Sequence, residues 1–431
     1  MAKLTNALAD FACAPLSTTL QTRIVTSLSM LDWIAVGCAG KDEPVSKIVR
    51  DMVLAEAGAG QAHLFGGGTA PLRATALVNG TISHALDYDD THFAHIGHPS
   101  VAILPAALAL AEAKDKPIVD LLEAALIGME LSIRVGLWLG RAHYQAGFHQ
   151  TATSGAFGAA VACGRLLGLN PAQMRQVLGL TATRAAGQKS QFGTMGKPYN
   201  AGVAAANGLE AAQLITAGFQ SNDQALEGTF GFGATHLGEN DTDSALQGLG
   251  HDWLFELVSH KFHACCHGLH AALEAARELD IAEPEVAEIK VKTHPRWMTV
   301  CNQVNPTTGL GAKFSYRTVI AMQALGYDTA LPESFTDQIC QNPRLKSLAD
   351  RITVEADNSL SETQAKLALL RRDGARLEAE HDLQTPLALA DREDRVRAKA
   401  VKLIGRDEVD EIWSMLRTGG RAADLAAHLN G

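Results

Sequence analysis

Small apolar residues at helical spacing fill most of the first half of the chain, and that pattern restricts the fold more than any other feature. Residues 19–39 carry Leu20, Ile24, Leu28, Leu31, Ile34 and Val36 on a helical repeat that ends near Gly37 and Gly40. Residues 70–86 contain a largely apolar run, and residues 101–113 read VAILPAALALAEA around Pro105. Asp120 caps a long segment reaching Leu139, while Asn170 and Pro171 form an N-cap followed by a first-turn proline. Residues 152–168 and 201–217 are rich in alanine, the second being stopped by Gly218. The first 260 residues therefore predict an almost wholly helical domain. Aromatic residues make up only 5% of the chain and glycines number 39, so its core must come from Ala, Leu, Val and Gly, which let helix axes approach closely.

The texture changes after Gly250. One amphipathic helix is expected over 270–279, followed by Glu288 to Thr293, where Ile289 and Val291 alternate with polar residues as in a half-buried strand. Residues 352–356 and 375–380 alternate in the same way, and helical patterns return at 391–403 and 409–416. The predicted fold class is mainly α: a large all-helical main domain over 1–264 and a smaller α+β lid domain over 265–395. Residues 396–431 form C-terminal helices free to return to the helical domain.

Charge and cysteine usage narrow the function. With 37 basic and 47 acidic residues the formal net charge is −10, which gives no global attraction to nucleic acid or to an anionic membrane. The longest stretch without Asp, Glu, Lys or Arg, 142–164, contains His149, Gln150, Thr151, Thr153 and Ser154 and is too polar for a membrane span. Seven cysteines, an odd number without framework spacing, read as reduced thiols of a soluble cytoplasmic protein. Adjacent Cys265 and Cys266 cannot easily share one metal and have no CxxC partner, so zinc is not expected.

Five polar segments interrupt the apolar pattern. In the first, His84, Asp87 and Thr91 would share a face if the preceding helix ran on to Thr91. Asp87, Asp89 and Asp90 repel one another, which should raise at least one carboxyl pKa and suits acid–base work; a solvated acidic helix end followed by a His-rich loop is the plainer reading. His149 directly precedes a helix of small residues, where the helix dipole favours a neutral imidazole, although capping or core packing would also place it there. Lys197 lies among glycines and is followed by Pro198, so it is expected on a loop at the start of the next helix, either binding a carboxylate or simply exposed. The GxxxxGK[ST] phosphate loop is not satisfied there. Lys261, His263, His267 and His270 fall within ten residues and read better as an anion-binding cluster than as a metal site. Lys313, Tyr316 and Arg317 open a further helix.

Together these segments resemble the MmgE/PrpD family. The resemblance is carried by ALVNGTISHALDYDDTH, HPS, GFHQTATSGAFGAAVACGRLLGL, GKPYNAGVAAANGLEAAQL, KFHACCHGLH and NPTTGLGAKFSYRTV, in the family's order across residues 76–319. It implies a helical main domain with an α+β lid, a homodimer, no cofactor, and a small anionic carboxylate as substrate. The catalytic residues it implies are Asp87, Thr91, His98, His149, Lys197 and Tyr316, with Lys261, His267 and His270 binding substrate. The implied activity is that of a cofactor-independent lyase or isomerase moving a proton next to a carboxylate, with 2-methylcitrate dehydratase-like chemistry as the main expectation. Epimerisation of an iminodisuccinate-like acid and cis-aconitate-type decarboxylation are the alternatives.

Two readings from other classes compete. Asp87-Tyr88-Asp89-Asp90 fits the DxDD acid of helical terpene cyclases, but cyclases steer carbocations with aromatic rings, which are scarce here. A non-enzymatic helical binding module would not need lysine and histidines drawn from five separate segments.

Overall fold

The computed structural model describes residues 3–56 and 58–430, and is mainly helical with a smaller α+β portion. The chain divides into two compact units: the stretch ending at His260 together with the stretch starting at Glu393, and Lys261–Arg392. Among the described residues no single helix is long and apolar enough to cross a membrane.

The principal helices of the first unit are α1 (Leu20–Gly40), α2 (Leu72–Ser83), α3 (Pro99–Ala113), α4 (Ile118–Gln145), α5 (Gln150–Leu166) and α6 (Gly196–Thr216). Helix α5 is central, packing against α3, α4 and α6, and it is buried from Gln150 through Gly164. A helix buried all round has no polar face, which is why its sequence shows small residues rather than an amphipathic stripe. Glycines set the closest approaches. A Cβ on Gly128 of α4 would lie 2.6 Å from the Gly158 carbonyl of α5, and one on Gly80 of α2 would lie 2.8 Å from the Gly202 Cα of α6.

Two local expectations are corrected. Helix α2 does not run on to Thr91; it stops at Ser83, so His84, Asp87 and Thr91 share no helical face. Asp87 adopts a left-handed φ of 51°, tolerable for Asp, and Asp89 and Asp90 turn their carboxylates into the protein. Lys197 lies on no loop but in the first turn of α6, which begins at Gly196. Pro198 is tolerated there because the third helical residue has no intrahelical acceptor for an N–H in any case.

The second unit is built on a four-stranded sheet of β1 (Val286–Thr293), β2 (Ile352–Ala356), β3 (Gln364–Arg371) and β4 (Arg376–Asp382), in spatial order β2-β1-β3-β4. Strands β1 and β2 are parallel, with Ile289 opposite Ile352, whereas β3 is antiparallel to both β1 and β4. Val286, Ile289, Val291, Ala365, Leu367 and Leu369 bury one face, against which α7 (His270–Glu278) packs. Strand β3 went unread in the sequence. Helix α8 (Tyr316–Ala324) is capped by Ser315, and after α9 (Leu389–Ile404) begins, Glu393 onward belongs to the first unit.

Candidate active site

The acidic segment between α2 and α3 delivers the densest group of titratable side chains in the first unit. Asp89 is fully buried between two imidazoles: His84 Nδ1 is 2.9 Å from one carboxylate oxygen and His98 Nδ1 is 2.7 Å from the other. Burial alone would push the Asp89 carboxyl up, but the charges and hydrogen bonds of His84 and His98 outweigh it and hold the group well below the usual carboxylate range. His98, the N-cap of α3, has Asp87 Oδ1 3.5 Å from its Nε2, and Asp87 in turn has Lys197 Nζ 2.6 Å from its Oδ2. Asp89, His98, Asp87 and Lys197 thus form a row of alternating acidic and basic groups.

His149, the N-cap of α5, sits against the same row. Its ring lies parallel to that of His84 at 6.1 Å between centroids, and Phe192 meets it edge-on at 4.9 Å. Burial, then the positive charges of His84, Lys197 and His98, push the imidazole well below its ordinary pKa, so it is neutral at physiological pH. Asn200 Nδ2 lies 3.3 Å from His149 Nδ1 and 3.3 Å from the Gln188 carbonyl. A carbonyl can only accept, so that side-chain atom is a donor; His149 Nδ1 is therefore the acceptor and Nε2 carries the proton. The helix-start position was legible in the sequence, whereas the tautomer is set by an α6 residue 51 positions away.

Below this row lies a second buried network. Ser100 Oγ is 2.5 Å from Asp90 Oδ2, and the Ser100 N–H donates to Oδ1 at 3.2 Å. Burial pushes the Asp90 carboxyl up, the neighbouring charges of Asp32 and Asp89 add to this, and the net result is a pKa of about 7 despite the Ser100 hydrogen bond. Asp32 on α1 pairs with Lys399 of α9 at 2.7 Å, and Lys399 also donates to the Tyr88 carbonyl at 2.8 Å.

Of the expected catalytic residues, Asp87, His98, His149 and Lys197 are brought together here. Thr91 lies in a two-way backbone bridge with Ser259, donating to and accepting from it at 2.9 and 2.8 Å. His84, Asp89 and Asn200 were not singled out as site residues. Their signal was faint: His84 and Asp89 stood inside the acidic cluster, but nothing local says that one carboxylate binds two imidazoles.

Lys261, His267, His270 and Tyr316 belong to the second unit. His270 is buried, with its ring 4.9 Å from that of His267 and 5.2 Å from that of His263. Burial, then the charges of His267, His263 and Lys261, hold it neutral. His263 contacts Glu274 Oε1 at 3.2 Å, so part of this cationic segment is balanced internally. Tyr316 donates its hydroxyl proton to the Gly268 carbonyl at 2.6 Å and pairs with Thr293 at 2.8 Å. Burial raises that phenol well above its ordinary value.

His84, Asp87, Asp89 and His98 place donor atoms within 4.8 Å of one another, a set that a divalent metal could use. The Lys197 ammonium lies on Asp87 and the two imidazoles lie on Asp89, so each of those carboxylates already faces a basic group.

Comparison with known proteins agrees with the motif reading. The MmgE/PrpD N-terminal domain matches residues 3–245 and the MmgE/PrpD C-terminal domain matches residues 263–415. Human cis-aconitate decarboxylase is 27% identical over 366 residues, covering 79% of this chain and 75% of that protein. The mouse cis-aconitate decarboxylase is 28% identical over 79% of this chain and 74% of its own length, and that of Aspergillus terreus 28% over 75% and 72%. The chain belongs to the MmgE/PrpD family and is an enzyme of that family's lyase type.

Proposed function

We propose that this enzyme decarboxylates cis-aconitate or a tricarboxylate of the same shape, using side chains alone. The observation that carries the reading is His98, held between Asp89 and Asp87 beside the Lys197 ammonium. With a carboxylate facing each nitrogen, the His98 imidazole can take a proton on one side and give one up on the other, and it stands beside the fixed Lys197 cation. Decarboxylation of an allylic acid requires that pair. When the methylene carboxyl of cis-aconitate leaves as CO2, its electron pair forms a new double bond to the central carbon. The electrons of the old double bond move to the carboxylate-bearing CH carbon, which then takes a proton. Lys197 stabilises the developing enediolate on that carboxylate, His98 supplies the proton, and His149 Nε2–H with Thr91 orients the remaining carboxylates.

The relatives' names support decarboxylation over the dehydration expected first. The Tyr316 proton is already committed to the Gly268 carbonyl, which removes one expected assistant to a leaving hydroxyl. Lys261, His267 and His270 are proposed as carboxylate-binding residues of the second unit, and Lys261→Ala should raise KM more than it lowers kcat. A homodimer is proposed as well; Ile48, Met52 and Leu54 are exposed apolar residues of helix Pro44–Glu56, and light scattering on the purified protein tests it.

The deciding experiment is NMR of cis-aconitate and 2-methylcitrate incubated with the enzyme in deuterated water. The expected result is CO2 release with one deuterium placed on the former CH carbon; loss of water without CO2 would overturn the proposal. Lys197→Ala and His149→Ala should each lower turnover by about 10²–10⁴-fold while the far-UV circular dichroism stays unchanged. Asp87 occupies Lys197 as a substrate carboxylate would, so substrate binding must displace it. Asp87→Asn should tighten cis-aconitate binding in calorimetry by about two- to fivefold, the scale of an ion pair whose carboxylate is partly solvated.

A further inference from the structure

Cys266 and Cys301 stand apart from the other thiols of the chain. Their Sγ atoms lie 3.1 Å apart, although 35 residues separate them. Cys13, Cys38 and Cys340 instead direct their sulfurs at the carbonyls of Leu169, His428 and Thr308, and Cys163 is enclosed in the core of the first unit.

The backbone holds the two thiols in register. Residues 313–316 strap both segments: Cys266 N–H donates to the Lys313 carbonyl at 3.0 Å, Tyr316 N–H to the Cys301 carbonyl at 3.3 Å, and Gln303 N–H to the Phe314 carbonyl at 3.0 Å. The hydrogen bond from Tyr316 to Gly268 fastens the same corner from the other side. A disulfide needs sulfurs about 2.05 Å apart, so closure asks for roughly 1 Å of sulfur travel, within the reach of side-chain rotation.

We propose that Cys266 and Cys301 are an oxidisable dithiol that closes to an intramolecular disulfide when it meets a hydroperoxide. Cys266 is half-buried and open to a small oxidant, whereas Cys301 is buried behind it. The hydrogen bond to Cys266, and then burial, push the Cys301 thiol up, and Cys301 donates its S–H to the Cys266 sulfur, so Cys266 is the sulfur left to meet an oxidant. The Cys266 thiolate attacks the peroxide oxygen, forming a sulfenic acid and releasing hydroxide, which is protonated to water. The Cys301 sulfur then attacks the sulfenic sulfur, its S–H proton leaves with the departing hydroxide as a second water, and the S–S bond forms. Two thiols and one hydrogen peroxide give one disulfide and two waters. The bond would tie the turn His267–Leu269 to the end of helix Pro295–Val300.

The test is a non-reducing peptide map of the full-length reduced protein after treatment with a small molar excess of hydrogen peroxide and trapping of the remaining thiols. The expected result is a cross-linked peptide joining Cys266 to Cys301, lighter by two hydrogen atoms than the sum of its parts and released by dithiothreitol. Cys265→Ser should still form it, and Cys301→Ser should leave Cys266 as a sulfenic acid captured by dimedone. A Cys265–Cys266 link, Cys266 driven to sulfinic acid beside an intact Cys301 thiol, or no oxidation at either residue would overturn the proposal. The map reads chemistry rather than turnover, so the wild-type result stands whichever substrate the enzyme uses.

Discussion

Asp90 is a carboxyl whose burial has a measurable consequence for the whole protein. Its folded pKa of about 7 lies above the ordinary value of 3.8, so folding favours the protonated form. The stability it contributes is fully present below the unfolded pKa and is lost as pH rises through 7. Asp90→Asn keeps an acceptor for the Ser100 N–H and cannot ionise. Relative to wild type, the Asn variant should therefore gain stability between pH 4 and pH 8, by about 4 kcal/mol at most, as read from urea unfolding across that range. A constant difference over the range would mean that Asp90 ionises freely. Asp89, one residue earlier, takes the opposite state because two imidazoles meet it. The sequence shows three nearby carboxylates and so indicates that one pKa should rise; which one is decided by the partners each carboxylate meets when buried.

Between α2 and α6 the packing is set by glycine. A side chain at Gly202 would place its Cβ 2.2 Å from the Leu77 carbonyl and 2.3 Å from Thr81 Oγ1. Backbone cannot yield as a flexible side chain does, so Gly202→Ala should cost about 1–3 kcal/mol and Gly202→Val more, measured by thermal or urea unfolding. The same crossing positions the site. His84 caps the end of α2 and Lys197 lies in the first turn of α6, so separating the helices should also lower turnover. The helical repeats and small residues of this region are legible in the sequence because periodicity is a local property. The end of α2 at Ser83 is not, since buried partners for Asp89 and Asp90 draw that segment out of the helix.

At the scale of the whole molecule, the first unit is closed by residues far apart in the chain. Lys399 and Asp32 are both nearly inaccessible and bonded at 2.7 Å, and the Lys399 ammonium also lies 3.9 Å over the Tyr88 ring. Removing one partner of a buried pair leaves an uncompensated charge, so Lys399→Met should destabilise by about 3–5 kcal/mol in urea unfolding. The double variant with Asp32→Asn should recover part of that loss, because the orphaned charge is then gone; equal loss in both would show that packing, not charge, dominates.

The sequence by itself determined the mainly helical class, the smaller α+β portion, the family through its ordered motifs, and the segments from which Asp87, His98, His149 and Lys197 come. These depend on residue types and spacing along a local stretch of chain. Only the tertiary structure decided that Asp89 serves two imidazoles, that Asn200 sets the His149 tautomer, that β3 completes the sheet, that Cys266 meets Cys301, and that Lys399 returns to Asp32. Each of those joins groups whose separation in sequence carries no information about their separation in space, and each is fixed by the cost of leaving a buried polar group without its partner.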